Sequence, residues 1–178
     1  MQLIKIQINS LNVNEKRLEG KQMSNVGVKF EIPNEYGNYL YDILKPLQMK
    51  SYQWLVSDDE IHLLKNNEFT DESIFNDARI ISGEELYGSS KNNTYYMIFV
   101  TLRAFLKDGE VKAVSKYKDF LESDCQIILA VYDCSYVMFW CKDTNLVFKI
   151  YEYATSKGYE NIKYISEKDL AEGNYYIC

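Results

Sequence analysis

The sequence predicts an α+β fold, a mainly antiparallel sheet with two main helices packed on it. Apolar and polar residues alternate in several short segments, which is typical of strands with one buried face. These segments follow one another with short polar turns, which favours antiparallel pairing. Only two segments have an apolar stripe at helical spacing over two turns or more. The chain has 178 residues, of which 47% are hydrophobic, enough for one domain with a buried core.

The first part of the chain predicts one strand and one helix. Residues 26–32 alternate between apolar and polar side chains and predict the strand. Asn34 is favourable at the start of a helix, and Pro46 ends that helix. Its apolar face is made by Tyr36, Leu40, Ile43 and Leu44. Gly37 in the first turn costs about 1 kcal/mol relative to alanine, which a close approach of another backbone would explain.

The middle of the chain predicts strands around a polar segment. Residues 52–56 and 60–64 are predicted as two strands joined by the polar turn Ser57-Asp58-Asp59. Residues 66–93 are predicted as an acidic insertion, a long loop with one short strand. Residues 94–106 are rich in aromatic and β-branched side chains and predict the strongest strand. After them, Asp108-Gly109 predicts a hairpin turn leading into a strand over 111–114.

The last part predicts two strands between helices. A short helix begins at Ser115, and two continuous apolar strands follow over 125–132 and 136–141. A longer helix begins at Asp143 or Thr144 and ends at Gly158, a residue suited to the left-handed position after a helix. Residues 161–165 predict a closing strand. With so few helices, we expect them to cover one face of the sheet.

Residues 1–22 differ in charge from the rest of the chain. They carry four basic and two acidic residues, whereas the whole chain has a net charge of −6. Glu19-Gly20 permits a purine-rich ribosome-binding sequence in the gene at a suitable distance before Met23. We therefore predict an N-terminal extension over 1–22 with Met23 as an alternative start, followed by one domain over 23–178. The alternative is a genuine N-terminal strand that joins the sheet.

Composition excludes several classes of function. The negative net charge disfavours general binding to nucleic acid. No apolar run is long enough to span a bilayer and no secretion signal opens the chain, so we expect a cytoplasmic protein without membrane contact. The four cysteines form no C-x-x-C pair, and His62 is the single histidine. The sequence therefore predicts no metal site, and it contains no cofactor motif.

One pair of residues predicts an enzyme. Cys134, next to Asp133 in a turn between strands, is a candidate nucleophile with His62 as its base, because a thiol needs a base or a positive field to become a thiolate. This pair predicts a small cysteine-dependent hydrolase or transferase. The alternative is a half-buried structural histidine, since no glycine turn suited to an oxyanion flanks the cysteine.

Negative charge is concentrated between Ser57 and Ser90. Nine acidic residues lie there, opposed only by Lys65 and Arg79. The acidic residues are Asp58, Asp59, Glu60, Glu68, Asp71, Glu72, Asp77, Glu84 and Glu85. Phe69, Phe75 and Tyr87 are interleaved with them. Long-range attraction together with aromatic contacts is how such a segment binds a basic protein.

The leading functional prediction is therefore a non-enzymatic protein that contacts a basic partner. The predicted contact residues are Asp71, Glu72, Phe75, Asp77, Glu84, Glu85 and Tyr87. One concrete version is an immunity-type antagonist of a basic toxin. Two alternatives stay open: a solvated loop that keeps the fold soluble, and a small-molecule binder with an aromatic pocket.

Several short segments resemble a known family. Residues 30–37 (FEIPNEYG), 41–46 (YDILKP), Trp54, 131–138 (VYDCSYVM) and 141–143 (CKD) are similar to a domain-of-unknown-function family of Bacillus-type Firmicutes, numbered 2691. The resemblance covers residues 24 to 166. Family members start close to the Gly27 strand, which supports the alternative start at Met23. The resemblance implies no activity, cofactor or catalytic residue.

Overall fold

The computed structural model describes residues 24–66, 68–75 and 79–172. The predicted extension over 1–22 and the alternative start at Met23 lie outside the described residues. The prediction of an α+β fold with an antiparallel sheet and two main helices is confirmed.

Eight strands form one sheet in the described part of the chain. Their bounds are β1 Asn25–Glu31, β2 Tyr52–Lys65, β3 Glu68–Phe69, β4 Ile80–Ser82, β5 Tyr95–Leu106, β6 Cys125–Tyr132, β7 Tyr136–Cys141 and β8 Glu160–Ser166. The order across the sheet is β3-β2-β5-β6-β7-β1-β8, and β4 also pairs with β2. All of these pairs are antiparallel.

The described part of the chain also contains five α-helices and one 3₁₀ helix. Their bounds are α1 Tyr39–Leu44, a 3₁₀ helix Met49–Ser51, α2 Gly83–Asn92, α3 Tyr117–Glu122, α4 Thr144–Lys157 and α5 Glu167–Glu172. The helix α5 is absent from the predicted elements. The ends of α4 follow the prediction: the Asp143 carboxylate accepts a hydrogen bond from the Asn145 amide at 2.9 Å, and Gly158 has φ 72°.

The helices cover both faces of the sheet rather than one. Along β6, Ile127 and Leu129 belong to the main core with α1, α2 and α4, whereas Ile128 belongs to a second cluster with Phe120 of α3 and Leu170 of α5. Neighbouring strand residues point to opposite faces, so the two clusters lie on opposite sides. The prediction of one covered face is therefore wrong, because β6 and β7 are apolar on both sides.

The predicted turn at Ser57-Asp58-Asp59 is a bulge within one long strand. β2 runs through these residues, and its pairing with β5 shifts register between Ser57 and Glu60. Asp58 has φ 45°, which accommodates the extra length. Side chains along a regular strand alternate between the two faces of the sheet, and the bulge shifts this alternation by one residue. Both Val56 and Ile61 therefore point into the main core.

The predicted strand over 111–114 is not formed. A turn is present, since the Gly109 amide donates to the Leu106 carbonyl at 2.9 Å. β5 pairs instead with β6, and the connecting segment crosses the second face. Val114 is buried there in the second cluster, so its apolar character reflects core packing rather than a strand.

Two further predictions are corrected in the first half of the chain. Gly37 forms an isolated antiparallel bridge with Tyr95, so the first helix begins at Tyr39 and not after Asn34. Residues 66–93 are not a long loop, because they contain β3, β4 and the ten-residue helix α2. The Ser82 hydroxyl accepts a hydrogen bond from the Glu85 amide, and the Glu85 carboxylate accepts one from the Ser82 amide. This capping box begins α2.

Candidate functional site

The acidic segment forms the outer edge of the sheet beside β2. β3 pairs with Leu64 and Lys65 near one end of β2, and β4 pairs with residues 53–55 near the other end. Between them, Ile74 and Phe75 are buried in the main core, Phe75 with 4% of its surface exposed. Phe75 therefore anchors the segment and does not present its ring to a partner, contrary to the expectation from the sequence.

The carboxylates of this edge divide into two groups. Some have partners within the protein: Glu72 accepts hydrogen bonds from Lys65 Nζ at 2.7 Å, and Asp59 pairs with Arg79 at 3.1 Å. Glu85 lies in the first turn of α2, and hydrogen bonds with Ser82 hold the pKa of its carboxyl below its usual value. Asp77 lies outside the described residues.

Glu68, Asp71 and Glu84, which follow β2 in the chain, belong to the second group. All three are exposed, and they make no hydrogen bond or ion pair with another residue in the described ranges. Their charges remain available to a partner molecule.

Two apolar side chains on this edge are also exposed. Phe69 of β3 has 58% of its surface exposed and contacts the Tyr96 ring edge-on, with 5.7 Å between centroids. Ile80 of β4 has 55% exposed. The two strands are short, and each pairs with β2 on one side. The edge thus combines unpaired carboxylates with two exposed apolar groups.

Tyr87 lies one turn after Glu84 on α2, and its ring is among lysines. The Lys91 ammonium donates a hydrogen bond to the Tyr87 hydroxyl at 3.0 Å, and the Lys50 ammonium lies 4.9 Å from the centre of the ring. The hydrogen bond from Lys91 is the main reason that the pKa of the Tyr87 phenol lies below its usual value. Tyr41 contacts the Tyr87 ring edge-on at 5.6 Å. The structure thus places the Tyr87 ring beside cations, and its role in a contact surface stays a prediction.

These residues border a cavity between α1, the 3₁₀ helix and α2. Its volume is about 420 Å³, and its lining includes Tyr41, Lys45, Lys50 and Tyr87. Sequence patterns do not reveal this group, because its members are separated by up to 46 residues along the chain. No local motif joins them, and the capping box at Ser82 is the only sequence signal that predicts the helix α2.

Cys134 and His62 have separate contacts. The His62 ring nitrogens lie 3.2 Å from the Thr70 carbonyl and 3.4 Å from the Glu60 carboxylate. Cys134 is half-buried at the tip of the β6–β7 hairpin, and its thiol is the main reason that the pKa of the nearby Tyr96 phenol lies above its usual value. Asp133 beside it is exposed, with φ 49°. Catalysis by Cys134, His62 and Asp133 stays a prediction.

The other described thiols are buried and weakly acidic. Burial raises the pKa of Cys125 to about 12 and that of Cys141 to about 11. Their pKa values make both groups poor nucleophiles near neutral pH, because the thiolate is the reactive form. They serve as apolar core residues.

We therefore expect iodoacetamide to alkylate Cys134 in the folded protein at least about 100-fold faster than Cys125 or Cys141 near pH 8. Peptide mass spectrometry after timed quenching measures each site and separates Cys178 by mass. The same protein unfolded in urea is the control, in which the rates should converge. Equal labelling of Cys125 and Cys134 in the folded protein would contradict the burial described above.

Neither a membrane-spanning helix nor a metal-ligand cluster is found in the described part of the chain. None of its helices is long and apolar enough to cross a lipid bilayer. Within residues 24–66, 68–75 and 79–172, no three histidine, cysteine, aspartate or glutamate side chains converge as metal ligands would.

Comparison with known proteins gives one family and one curated relative. Residues 25–176 match the family described as Protein of unknown function (DUF2691). The chain is 39% identical over 145 residues to the uncharacterised protein YncE of Bacillus subtilis strain 168, covering 82% of this chain and 94% of that protein. No solved structure is significantly similar. The family match spans nearly all the described residues, and the chain therefore belongs to the DUF2691 family of proteins of unknown function.

Proposed function

We propose that this protein is a non-enzymatic binding protein whose acidic edge contacts a basic protein partner. The acidic edge is defined here as the exposed carboxylates Glu68, Asp71 and Glu84 with the exposed apolar side chains of Phe69 and Ile80. The exposed, unpaired carboxylates support this proposal most directly, and Phe69 and Ile80 add apolar contact area beside them.

The geometry of the edge favours an elongated contact. Phe69 and Ile80 pair with Leu64 and Leu55 of β2, positions about 30 Å apart at the usual rise of a strand. A standard protein interface buries about 800 Å² on each partner. A roughly square patch of that area is about as wide as the distance between these two positions. Apolar groups inside such an interface supply affinity, and the carboxylates around them accelerate association with a basic surface.

Neutralising the three unpaired carboxylates tests the proposal. We expect the triple variant Glu68→Gln, Asp71→Asn and Glu84→Gln to lose most of its capture of a basic partner from a bacterial lysate. Wild-type capture should itself fall strongly when the salt is raised from about 0.05 to 0.5 M, because exposed charges are then screened over a few ångströms. Quantitative mass spectrometry of the retained proteins is the measurement.

A second triple variant gives the matched control. Asp108→Asn, Glu152→Gln and Glu160→Gln remove the same charge from exposed positions away from the acidic edge, so capture should be unchanged. Equal loss in both variants would point to net charge alone, and unchanged capture in the first would refute the proposal. Self-association of the first variant without loss of a partner would instead assign the acids to protection of the sheet edge.

The immunity-type version of this proposal specifies the partner further. A basic toxin encoded beside the gene would be the partner to test first. Phe69→Ser should weaken binding of this partner at every salt concentration. The ring of Phe69 would be buried in the interface, and the loss of that apolar contact is not screened by ions.

A further inference from the structure

The cavity between α1, the 3₁₀ helix and α2 differs from the rest of the protein in charge. The chain carries a net charge of −6, yet the charged groups in the cavity lining are Lys45 and Lys50. Lys91 adds a third ammonium, 5.1 Å from the Tyr87 ring and 5.9 Å from the Tyr41 ring. No carboxylate of the described residues forms an ion pair with any of these three lysines.

Two aromatic rings stand beside these cations in a fixed arrangement. Tyr41 and Tyr87 meet edge to face with an interplanar angle of 81°. Both ring positions are tied to the core through Tyr95, which is 1% exposed. The Tyr95 hydroxyl accepts a hydrogen bond from the Tyr41 amide at 3.3 Å and donates one to the Ser90 carbonyl of α2 at 3.1 Å. The helices that carry the two rings are thereby connected.

The opposite wall is also held in place. The Met49 carbonyl of the 3₁₀ helix accepts a hydrogen bond from the buried Trp54 indole at 3.0 Å. Gly83 of α2 packs so closely on this carbonyl that a Cβ atom there would lie 2.0 Å from the oxygen. The cavity therefore has walls fixed by buried contacts, as preformed small-molecule sites do.

Acidic groups near the cavity are engaged elsewhere or lie outside its lining. Asp42 of α1 forms an ion pair with Lys157 at 2.9 Å, and Glu85 caps α2. Glu84 lies one turn before Tyr87 on α2 and is not part of the lining. The charged side chains that line the cavity are therefore all cationic.

From this geometry we propose that the cavity binds a small molecule that carries both an aromatic ring and an anionic group, a phosphate or a carboxylate. The volume of about 420 Å³ falls within the range of about 300–1,000 Å³ that small-molecule sites occupy. The ring of the ligand stacks on Tyr87 or Tyr41, and the lysine ammonium groups pair with the anion. This proposal does not rest on the proposed protein partner, although Glu84 of the acidic edge lies one turn from Tyr87 on α2.

A panel of aromatic anions with neutral counterparts tests this proposal. The probes are phenyl phosphate, benzoate, AMP and FMN, compared with phenol, benzamide, adenosine and riboflavin, and inorganic phosphate serves as an anion without a ring. Binding is measured by isothermal titration calorimetry at low salt. We expect at least one aromatic anion to bind with Kd below about 1 mM, with its neutral counterpart and inorganic phosphate at least about tenfold weaker.

Lysine variants locate the binding. The double variant Lys50→Met, Lys91→Met should weaken that anion at least about tenfold, whereas Lys112→Met, Lys118→Met removes two exposed cations elsewhere and should leave Kd unchanged. Circular dichroism confirms that each variant is folded. The proposal is overturned if no aromatic anion binds, if the neutral counterpart binds equally well, or if the first double variant binds like the wild type.

Discussion

Replacing Gly83 by alanine is expected to destabilise the protein by about 3 kcal/mol, although Gly83 lies in a helix where alanine is normally favoured. A Cβ atom at Gly83 would lie 2.0 Å from the Met49 carbonyl oxygen and 2.6 Å from Lys50 Cα. Both are backbone atoms, so no side-chain rotation relieves the overlap. The helix α2 would have to move away from the 3₁₀ helix and withdraw Leu86, which is fully buried.

The same substitution at Gly88 is the matched control. Gly88 lies on the same helix, and a Cβ atom there would meet nothing within 4 Å. Gly88→Ala should therefore stabilise the protein by about 0.5–1 kcal/mol through helix propensity and a less flexible unfolded chain. Urea denaturation followed by circular dichroism gives both values. Equal effects at the two positions would contradict the close packing of α2 on the 3₁₀ helix.

Replacing Arg103 by alanine is expected to cost at least about 3 kcal/mol. Arg103 lies in β5 on the second face of the sheet and is 2% exposed. Its Nε donates to the Val114 carbonyl at 2.7 Å, and its Nη1 donates to the Ser57 hydroxyl. Alanine would leave a cavity at this position. It would also remove the hydrogen bond that Arg103 donates to the Val114 carbonyl, in the segment that crosses this face.

Two further variants define the origin of this effect. Arg103→Lys should also destabilise the protein by more than about 1 kcal/mol, since an ammonium lacks the planar fork of donors. Lys112→Ala, in the same connecting segment but exposed, should change stability by less than about 0.5 kcal/mol. Thermal and urea unfolding measure all three. A near-neutral Arg103→Ala would show that the buried guanidinium contributes little net stability.

Local sequence patterns were sufficient where one segment carries the whole signal. The strands over 125–132 and 136–141 have the bounds that their apolar runs predict. The helix α4 begins after Asp143 and ends at Gly158 because capping chemistry acts within one turn of the chain. The family and the antiparallel α+β class were predictable for the same reason.

The candidate sites were only partly predictable. The concentration of acidic residues is visible in the sequence, but burial decides that Phe75 packs inside while Phe69 is exposed. The pattern also gives no sign that Glu85 caps a helix and Glu84 does not, unless the Ser82 capping box is recognised first.

The sequence by itself determined the fold class, most strands, the helix α4 and the acidic character of residues 57–90. Only the tertiary structure decided that β2 has a bulge at Asp58 and that both sheet faces are covered. It also decided that Lys45 and Lys50 line a cavity with two tyrosines, whose rings Lys91 contacts. The physical reason is the range of the forces involved. Alternation and capping act between near neighbours in the chain, whereas a cavity is formed by segments that meet only when the sheet and its helices pack together.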